Sequence, residues 1–296
     1  MRTKSAFVTI AGRPNVGKSS LLNAFVGEKV AIVSPKPQTT RTRITGVLSK
    51  GETQLVFIDT PGMHQPRTKL SEYMVKQIAS SVADVDVAIL VTEPAGEIRS
   101  SEIQLLESFK AKKIPAILAV NKIDTLERKE LMMDKIAKFS ALFAFDEIVP
   151  ISVLKRDGVE LLLKMTEKYA KPAPHFFDDD DYTDQPERVI VSEMVREKIL
   201  RNMRDEIPHG TAVAIEEMKE RKNGEIVDIH AVIYCEKQSH KAMMIGKNGE
   251  TLKKIGSQAR VDIERFLDIR VNLQCWVKVK QDWRNNAGNL REFGFQ

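Results

Sequence analysis

Two domains of different class are predicted: an open, mostly parallel α/β sheet with one antiparallel edge strand, followed by a smaller α+β domain of order α-β-β-α-α-β. Three observations predict them. Through residues 1–172 short apolar runs alternate with helical patterns, the grammar of βαβ units. The stretch KPAPHFFDDDDYTDQPER, Lys171 to Arg188, then interrupts both patterns with prolines and four consecutive aspartates, which favour a linker. Beyond it the alternation changes to helix, two strands, two helices and a strand. A length of 296 residues also exceeds what one hydrophobic core usually serves. The expected boundaries are 1–172, an acidic linker 173–187, and 188–296.

In chain order, AFVTIAG reads as the first strand and SSLLNAFVG as the first helix, with apolar spacing near 3.6. RITGVLSKGETQLVFID holds two alternating runs meeting at a KGET turn, a hairpin that supplies the antiparallel edge strand. KLSEYMVKQIASSV and SEIQLLESFKAKK are helical, and DVAILVTE, PAILAVNKID and EIVPISV are strands. In the second domain RVIVSEMVREKILRNMRDEI is a helix carrying an apolar stripe. TAVAIEEMKER and GEIVDIHAVIYCEK alternate around a KNG turn and form a hairpin. A short helix around SHKAMM, the loop GKNG, a helix through ETLKKIGSQARVDIERFL and a strand VNLQCWVKVK complete the order.

A composition 42% hydrophobic and 29% charged is that of a globular soluble chain. No apolar run approaches the ~20 residues that span a bilayer, and MRTKSAFVTIAG lacks a signal-peptide core, so a cytoplasmic protein is expected. Cys235 and Cys275 lie in strand-like runs without metal-ligand spacing, and read as small buried hydrophobes. The five histidines are scattered and suggest no zinc site. All of the +5 net charge falls in residues 241–296, where 11 Lys+Arg face 6 Asp+Glu. That tail is either a solvated basic face or a nucleic-acid patch.

The sequence GRPNVGKSS fits GxxxxGK[ST] between a strand and a helix. There Gly12, Arg13, Pro14, Asn15, Val16 and Gly17 would curl backbone N–H groups around phosphates, with Lys18 reaching the β/γ oxygens, Ser19 ligating Mg²⁺ and Ser20 following in the helix. Asp59, Thr60, Pro61 and Gly62 end a second strand. The carboxylate can hold Mg²⁺ through water and the Gly62 N–H can meet a γ-phosphate. A plain Asp-Pro-Gly surface turn explains these residue types but not their place after a buried strand. Asn121, Lys122, Ile123 and Asp124 end a third strand. Asp124 can accept both N1–H and the exocyclic amine of guanine, which adenine cannot offer. Ser152 and Val153 end the last strand and would stand near the base edge. Three such loops at the carboxyl ends of strands point to one crevice and to GTP or GDP as ligand. Lys18, Thr40 and Gly62 are the residues expected to bear on hydrolysis.

Where many GTPases carry a water-orienting Gln after the DxxG glycine, this chain has Met63. A thioether cannot hold a water by a strong hydrogen bond. Slow hydrolysis is therefore expected, with the water placed by the backbone of Pro37–Arg43 or by a monovalent cation such as K⁺. Asn15 could give that cation an oxygen or simply brace its own loop.

The second loop, GKNG, joins two helices ahead of KKIGSQARVDIER, and matches the GxxG clamp of KH domains on single-stranded nucleic acid. Gly246 and Gly249 permit close approach, Lys247 supplies charge and Asn248 completes the loop. Lys241, Lys253 and Lys254 flank it as further phosphate contacts. Ile245, with Met244 and Ile255, would floor the groove or else fill core.

The joint pattern of GRPNVGKSS, PQTTRTR, DTPG followed by PRTKLSEYM, NKID, HKAMMIGKNGETLKKIG and WVKVKQDWRNN resembles the Era family, bacterial GTPases of the TrmE-Era type. The likeness runs from Ser5 to Phe295. It implies a Ras-like P-loop GTPase domain followed by a KH domain of type II topology. It also implies binding to the 3′ end of 16S rRNA, assistance to 30S ribosomal subunit maturation, coupling of GTP and RNA binding, and water positioning without Gln. Thr40 would be the switch I ligand of Mg²⁺, with Thr39 as the fallback. Members are also found at the inner membrane face, where this chain, having no anchor, would make only peripheral contact; a monomer is expected. Val153, Gln65, Ser71 and Asn248 depart from the family's common residues at their positions. Two other readings stay open, an RNA-binding scaffold that holds GTP with little turnover and another translation-related GTPase.

Overall fold

In the computed structural model, residues 3–62, 68–81, 85–222 and 224–295 are described. They form two compact units: Met1–Ala31 with Thr40–Gln65 and Met74–Asp184, and Ile32–Thr39 with Pro66–Tyr73 and Gln185–Gln296. This division differs from a single cut at the acidic stretch. Among the described residues, 32–39 and 68–73 fall in the second unit.

The first unit is built on β1 (Lys4–Gly12), β2 (Ile44–Lys50), β3 (Thr53–Asp59), β4 (Val87–Thr92), β5 (Ala116–Val120) and β6 (Glu147–Pro150), in the order β2-β3-β1-β4-β5-β6. Among the described residues of this sheet, only β2 and the two-residue β7 (Lys171–Pro172) run antiparallel to their partners. The β2–β3 hairpin turns at Gly51, whose φ of 60° is cheap only for glycine. β1, β4 and β5 are largely buried and mostly apolar because helices cover both faces of a parallel sheet. Those helices include α1 (Lys18–Val26), α3 (Ser100–Lys112), α4 (Lys129–Leu142) and α5 (Val159–Glu167). One core layer gathers Leu21, Leu22 and Phe25 of α1 with Val8, Ile10 and Phe57. The other gathers Leu105, Leu106 and Phe109 of α3 with Ala88, Leu90 and Leu118. The helix α2 (Lys69–Ser81) begins in the second unit and passes to the first after Tyr73.

The acidic stretch does not stand free of the first unit. Gln54 of β3 accepts from the amides of Phe176 and Phe177 at 2.7 and 3.1 Å. Phe176 also packs on Phe7 at 4.9 Å. The Val47 amide donates to the Tyr182 carbonyl at 2.8 Å. The edge strand β2 thereby has its outward backbone covered.

The second unit contains α6 (Glu187–Asn202), β8 (Ala212–Glu220), β9 (Ile226–Cys235), α7 (Gln238–Ile245), α8 (Glu250–Leu267), β10 (Arg270–Val279) and α9 (Ala287–Glu292). Its sheet runs β10-β9-β8, with β8 antiparallel and β10 parallel to β9. The KNG turn falls partly on Asn223, outside the described residues. The helix expected to run to Ile207 ends at Asn202, where Met203 turns extended and both Met203 and Ile207 enter the core. Met194, Val195 and Ile199 of α6 meet Ile255, Ala259 and Ile263 of α8 over β9.

The C-terminal residues close a satellite core. Trp283 is fully buried, donates its indole N–H to the Gly210 carbonyl at 2.9 Å, and meets the Phe293 ring edge-on at 5.3 Å. Leu70 and Leu290 complete the cluster, while Phe295 stacks on Trp283 and contacts Tyr73 edge-on. Trp283→Ala is expected to destabilise the second unit by about 3–5 kcal/mol, read from its urea midpoint. A shift under about 1 kcal/mol would show that the cluster is dispensable.

Candidate nucleotide site and nucleic-acid interface

The nucleotide loops emerge at the carboxyl ends of β1, β3 and β5. Gly12 ends β1 at φ 147°, and a Cβ there would stand 2.3 Å from the Val91 carbonyl oxygen, so β4 itself requires glycine. Asn15 and Gly17 take φ 65° and 104°, which curl the loop before α1 begins at Lys18. Ser20 lies in the first turn of that helix. Val16 is buried, and its carbonyl accepts from the Asn121 amide at 2.8 Å. The Arg13 guanidinium lies between Glu93 at 3.2 Å and the fully buried Glu102 at 3.3 Å.

Lys18 is buried and donates to the Arg13 carbonyl at 2.9 Å. Ser19 Oγ donates to Asp59 at 2.6 Å and stands 2.9 Å from Thr40 Oγ1, which is itself 3.5 Å from the same carboxylate oxygen. Of the two threonines left open by the sequence, Thr40 joins this cluster, whereas Thr39 Oγ1 donates to the Lys36 carbonyl at 2.6 Å. Burial pushes the Asp59 carboxyl up, against the pull of Lys18 and of the Ser19 and Thr40 hydroxyls. Burial also lowers the Lys18 ammonium, against the pull of Asp59. Asp59 Oδ1 is buried without a hydrogen-bond partner among the described residues. A buried carboxylate with one oxygen spare, beside two hydroxyls, is a donor set that fits a hard divalent cation such as Mg²⁺. Those residues would be Ser19, Thr40 and Asp59.

Thr60 Oγ1 donates to the Ile10 carbonyl at 3.3 Å, tying the segment after β3 to β1. Pro61 and Gly62 follow it. A Cβ on Gly62 would lie 2.6 Å from the Pro14 ring, so this glycine rests directly on the phosphate loop. Met63 lies outside the described residues.

In the base loop, Lys122 has φ 67° and pairs with Glu93 at 2.6 Å. The Ile123 amide donates to the Ile151 carbonyl at 3.3 Å. Asp124 accepts from the Ser152 hydroxyl at 2.5 Å, which orients the carboxylate. The Val153 N–H donates to Asn121 at 3.1 Å, so it braces Asn121 rather than offering itself to a base edge. Glu93 and Glu102, which hold Arg13 and Lys122, were not among the sequence candidates.

In the second unit, Gly246 adopts φ 73° and a Cβ would meet Thr251 Oγ1 at 2.2 Å. Asn248 and Gly249 are also left-handed, at φ 51° and 79°. This turn delivers the chain to the start of α8. Beside it a groove of about 560 Å³ is lined by Gly249, Leu252, Lys253, Gly256, Ser257 and Arg260 of one α8 face, with Leu273 and Cys275 of β10. The expected floor differs: Met244 and Ile255 are wholly buried in core, and Ile245 packs against that core. Cys275 is half-buried rather than buried, with its thiol pushed up to about 11 by desolvation, so it stays protonated near neutral pH and lines the groove as an apolar wall. Lys247, Lys253 and Lys254 are exposed, and Lys241 is half-buried on α7. Lys278, Lys280 and Arg284 instead pair with Glu216, Glu292 and Glu236.

An open parallel sheet presenting a phosphate loop, a buried carboxylate–hydroxyl cluster and an Asn-Lys-x-Asp base loop defines a Ras-like GTPase domain, here joined to a KH domain. Family models agree: that of the 50S ribosome-binding GTPase matches residues 7–122, and that of the KH domain matches 206–284. The chain is 50% identical over 292 residues to GTPase Era of Clostridioides difficile, covering 99% of this chain and 98% of that one; it belongs to the Era family of GTPases. It is also 48% identical over 296 residues to GTPase Era of Ruminiclostridium cellulolyticum, covering 100% and 99%. Among solved structures, a substituted Aquifex aeolicus Era bound to GDP·AlF4⁻ superposes with a TM-score of 0.94 at 36% identity, over 99% of both chains. An Era in complex with MgGDPNP and nucleotides 1506–1542 of 16S ribosomal RNA superposes with a TM-score of 0.92, also at 36% identity and 99% of both chains.

Proposed function

We propose that this chain is a Mg²⁺-dependent, slowly hydrolysing GTPase that binds the 3′ end of 16S rRNA and assists maturation of the 30S subunit. The observation that carries the RNA part is the groove beside Gly246–Gly249, whose glycine turn admits a backbone and whose rim carries Lys253 and Arg260. The related Era complex with 16S rRNA, alike over the whole chain, supports the same partner. The reading places the protein in the cytoplasm as a monomer, with peripheral contact at the inner membrane face. Among the described residues no helix is long and apolar enough to cross a membrane.

In the proposed reaction the phosphate loop from Gly12 to Ser19 wraps the phosphates with its amides, and Lys18, held by the Arg13 carbonyl, places its ammonium against the β/γ oxygens. Bound Mg²⁺ supplies charge neutralisation at the phosphates. Ser19, Thr40 and Asp59 hold it. Gly62, pressed against Pro14, sets the start of switch II beside the same loop. Asn121 ties the phosphate loop to the base loop, and Asp124, aimed by Ser152, selects guanine. Backbone groups of Pro37–Arg43 would place the attacking water, and a K⁺ ion, where bound, would take an oxygen from Asn15 and supply further charge at the phosphates. Chemistry without an aimed Gln gives a low intrinsic rate.

Gly246→Asp combined with Lys247→Asp is expected to lower affinity for a single-stranded 16S rRNA 3′ fragment at least about tenfold, by adding two carboxylates where phosphates pass. GTP affinity should stay unchanged. Filter binding and nucleotide titration check both, and undiminished RNA binding would refute the clamp.

A further inference from the structure

Glu93 lies in the loop after β4, within the first unit and outside the three nucleotide loops. Its two carboxylate oxygens are divided between two of them. One accepts from the Arg13 guanidinium of the phosphate loop at 3.2 Å, and the other from the Lys122 ammonium of the base loop at 2.6 Å.

The loop that carries this carboxylate is itself pinned on both sides. Before Glu93, the Thr92 hydroxyl donates to Glu102 at 2.8 Å. After it, the Gly96 carbonyl accepts at 2.9 Å from Lys135 of α4. Glu102 and Lys135 are both buried, on two different helices. Glu102 also accepts from the Arg99 amide at 2.9 Å and pairs with Arg13 at 3.3 Å. Buried ionisable groups are tolerated only where they are paired or hydrogen-bonded, and here the bonds that satisfy them fix the position of Glu93.

Stability of the fold does not account for Glu93. Its side chain is 36% exposed and that of Lys122 is 37%, and ion pairs at such exposure contribute little to folding. What the pair fixes is geometry. Lys122 has φ 67°, a left-handed backbone uncommon for lysine. Its carbonyl accepts from the Thr125 amide at 3.0 Å and the Thr125 hydroxyl at 2.8 Å. These bonds close the single turn Ile123–Thr125 on which Asp124 sits. Ser152 holds one Asp124 oxygen, so the orientation of that turn sets where the other oxygen points.

We propose that Glu93 is a specificity-determining positioning residue of the guanine site: by holding Lys122 against the phosphate-loop Arg13 it keeps the base loop in the orientation in which Asp124 meets both guanine donors at once. The inference rests on the reading of Asp124 as the acceptor of those donors. Glu93 touches no part of the nucleotide in this role, and acts through Lys122 and the turn that follows it.

The test uses the full chain with Mg²⁺ and measures affinities for GDP and for inosine diphosphate by calorimetric titration. Hypoxanthine keeps N1–H but lacks the exocyclic amine, so the ratio of the two affinities reads the second contact of Asp124. Glu93→Ala is expected to lower that ratio at least about fivefold, part of what one hydrogen bond to a charged group contributes, with the urea unfolding midpoint unmoved. Glu93→Asp keeps the charge and both oxygens on a shorter stem and should recover most of the ratio. Glu93→Gln keeps the size with a single acceptor oxygen and should stay near the alanine value. Recovery by glutamine and not by aspartate would mark Glu93 as a filler of space and overturn the proposal, as would an unchanged ratio in Glu93→Ala, whatever becomes of the two affinities. Should Glu93→Ala fail to fold by circular dichroism, Glu93→Gln decides in its place. Asp124→Ala separates the two layers of the argument. A ratio that survives Asp124→Ala overturns the base-acceptor reading, whereas a ratio lost there and kept in the Glu93 variants overturns the role of Glu93 alone.

Discussion

Asp124→Asn is expected to lower GTP affinity about 10²- to 10⁴-fold and to create affinity for xanthosine triphosphate. The size follows from what the site is built to do. An acceptor that meets two donors of a bound base rejects a ligand that leaves it unpaired by several decades, far more than a change of apolar contact would. Here the carboxylate is already aimed: Ser152 donates to one oxygen at 2.5 Å, and the Lys155 amide in turn donates to Ser152 at 3.1 Å. Asparagine keeps the shape and the Ser152 contact but turns one acceptor into a donor. Guanine then meets donor against donor at its amine, while the oxygen that xanthine carries at that place accepts from the new amide donor. Competition binding with GTP, xanthosine triphosphate and ATP reads the exchange. Retained GTP affinity would remove Asp124 from the base site and, with it, the chemical ground for guanine selection.

The parts of this site that sequence made legible are those with one local physical cause. Gly12 and Gly17 were readable because only glycine fits the backbone there, and Asp59 because a carboxylate at the end of an apolar strand has little reason to be there except to bind. The same holds for the sheet at the level of class, since β1, β4 and β5 are mostly apolar and largely buried. What could not be read depends on distant partners. Glu93 and Glu102 look like ordinary helix and loop charges until the fold sets Arg13 and Lys122 beside them. Arg196, Glu197 and Lys198, all buried on α6, pass in the sequence for a solvated face, because burial of charge is decided by neighbours that periodicity does not name. Whether Met244 and Ile255 floor the candidate groove or fill core is an alternative that residue type alone leaves open. Met244 and Ile255 are apolar and near the glycine turn, yet the most apolar stripe of an amphipathic helix faces the core, and the groove uses the flank where Leu252, Gly256 and Arg260 follow at helical spacing. The acidic stretch misled because its charges are exposed while its aromatic and backbone groups, at Phe176 and Tyr182, cover the sheet edge.

Gly17→Ala is expected to reduce affinity for both GTP and GDP about 10²- to 10⁴-fold while leaving the KH groove intact. Two costs add at this position. Alanine at φ 104° is strained by about 1–3 kcal/mol. Its methyl carbon would stand 2.2 Å from the Asn121 amide nitrogen, so Asn121 must move. That side chain holds the Val16 carbonyl at 2.8 Å and the Val153 amide at 3.1 Å, and buried groups left unpaired cost about 1–3 kcal/mol each. These costs total roughly 3–9 kcal/mol; the share that nucleotide binding must reverse, about 3–6 kcal/mol, gives the stated range at about 1.4 kcal/mol per decade. Both nucleotides suffer equally because the damage lies where the phosphate and base loops are joined, not at the switches. Gly27→Ala is the internal control, since Gly27 also has positive φ, at 87°, but a Cβ there would meet nothing within 4 Å. It should cost stability alone. If calorimetric titration gave the two variants the same nucleotide affinities, the bridge through Asn121 would be packing without consequence for binding; if Gly17→Ala alone fails, a single side-chain amide is what makes two loops into one site.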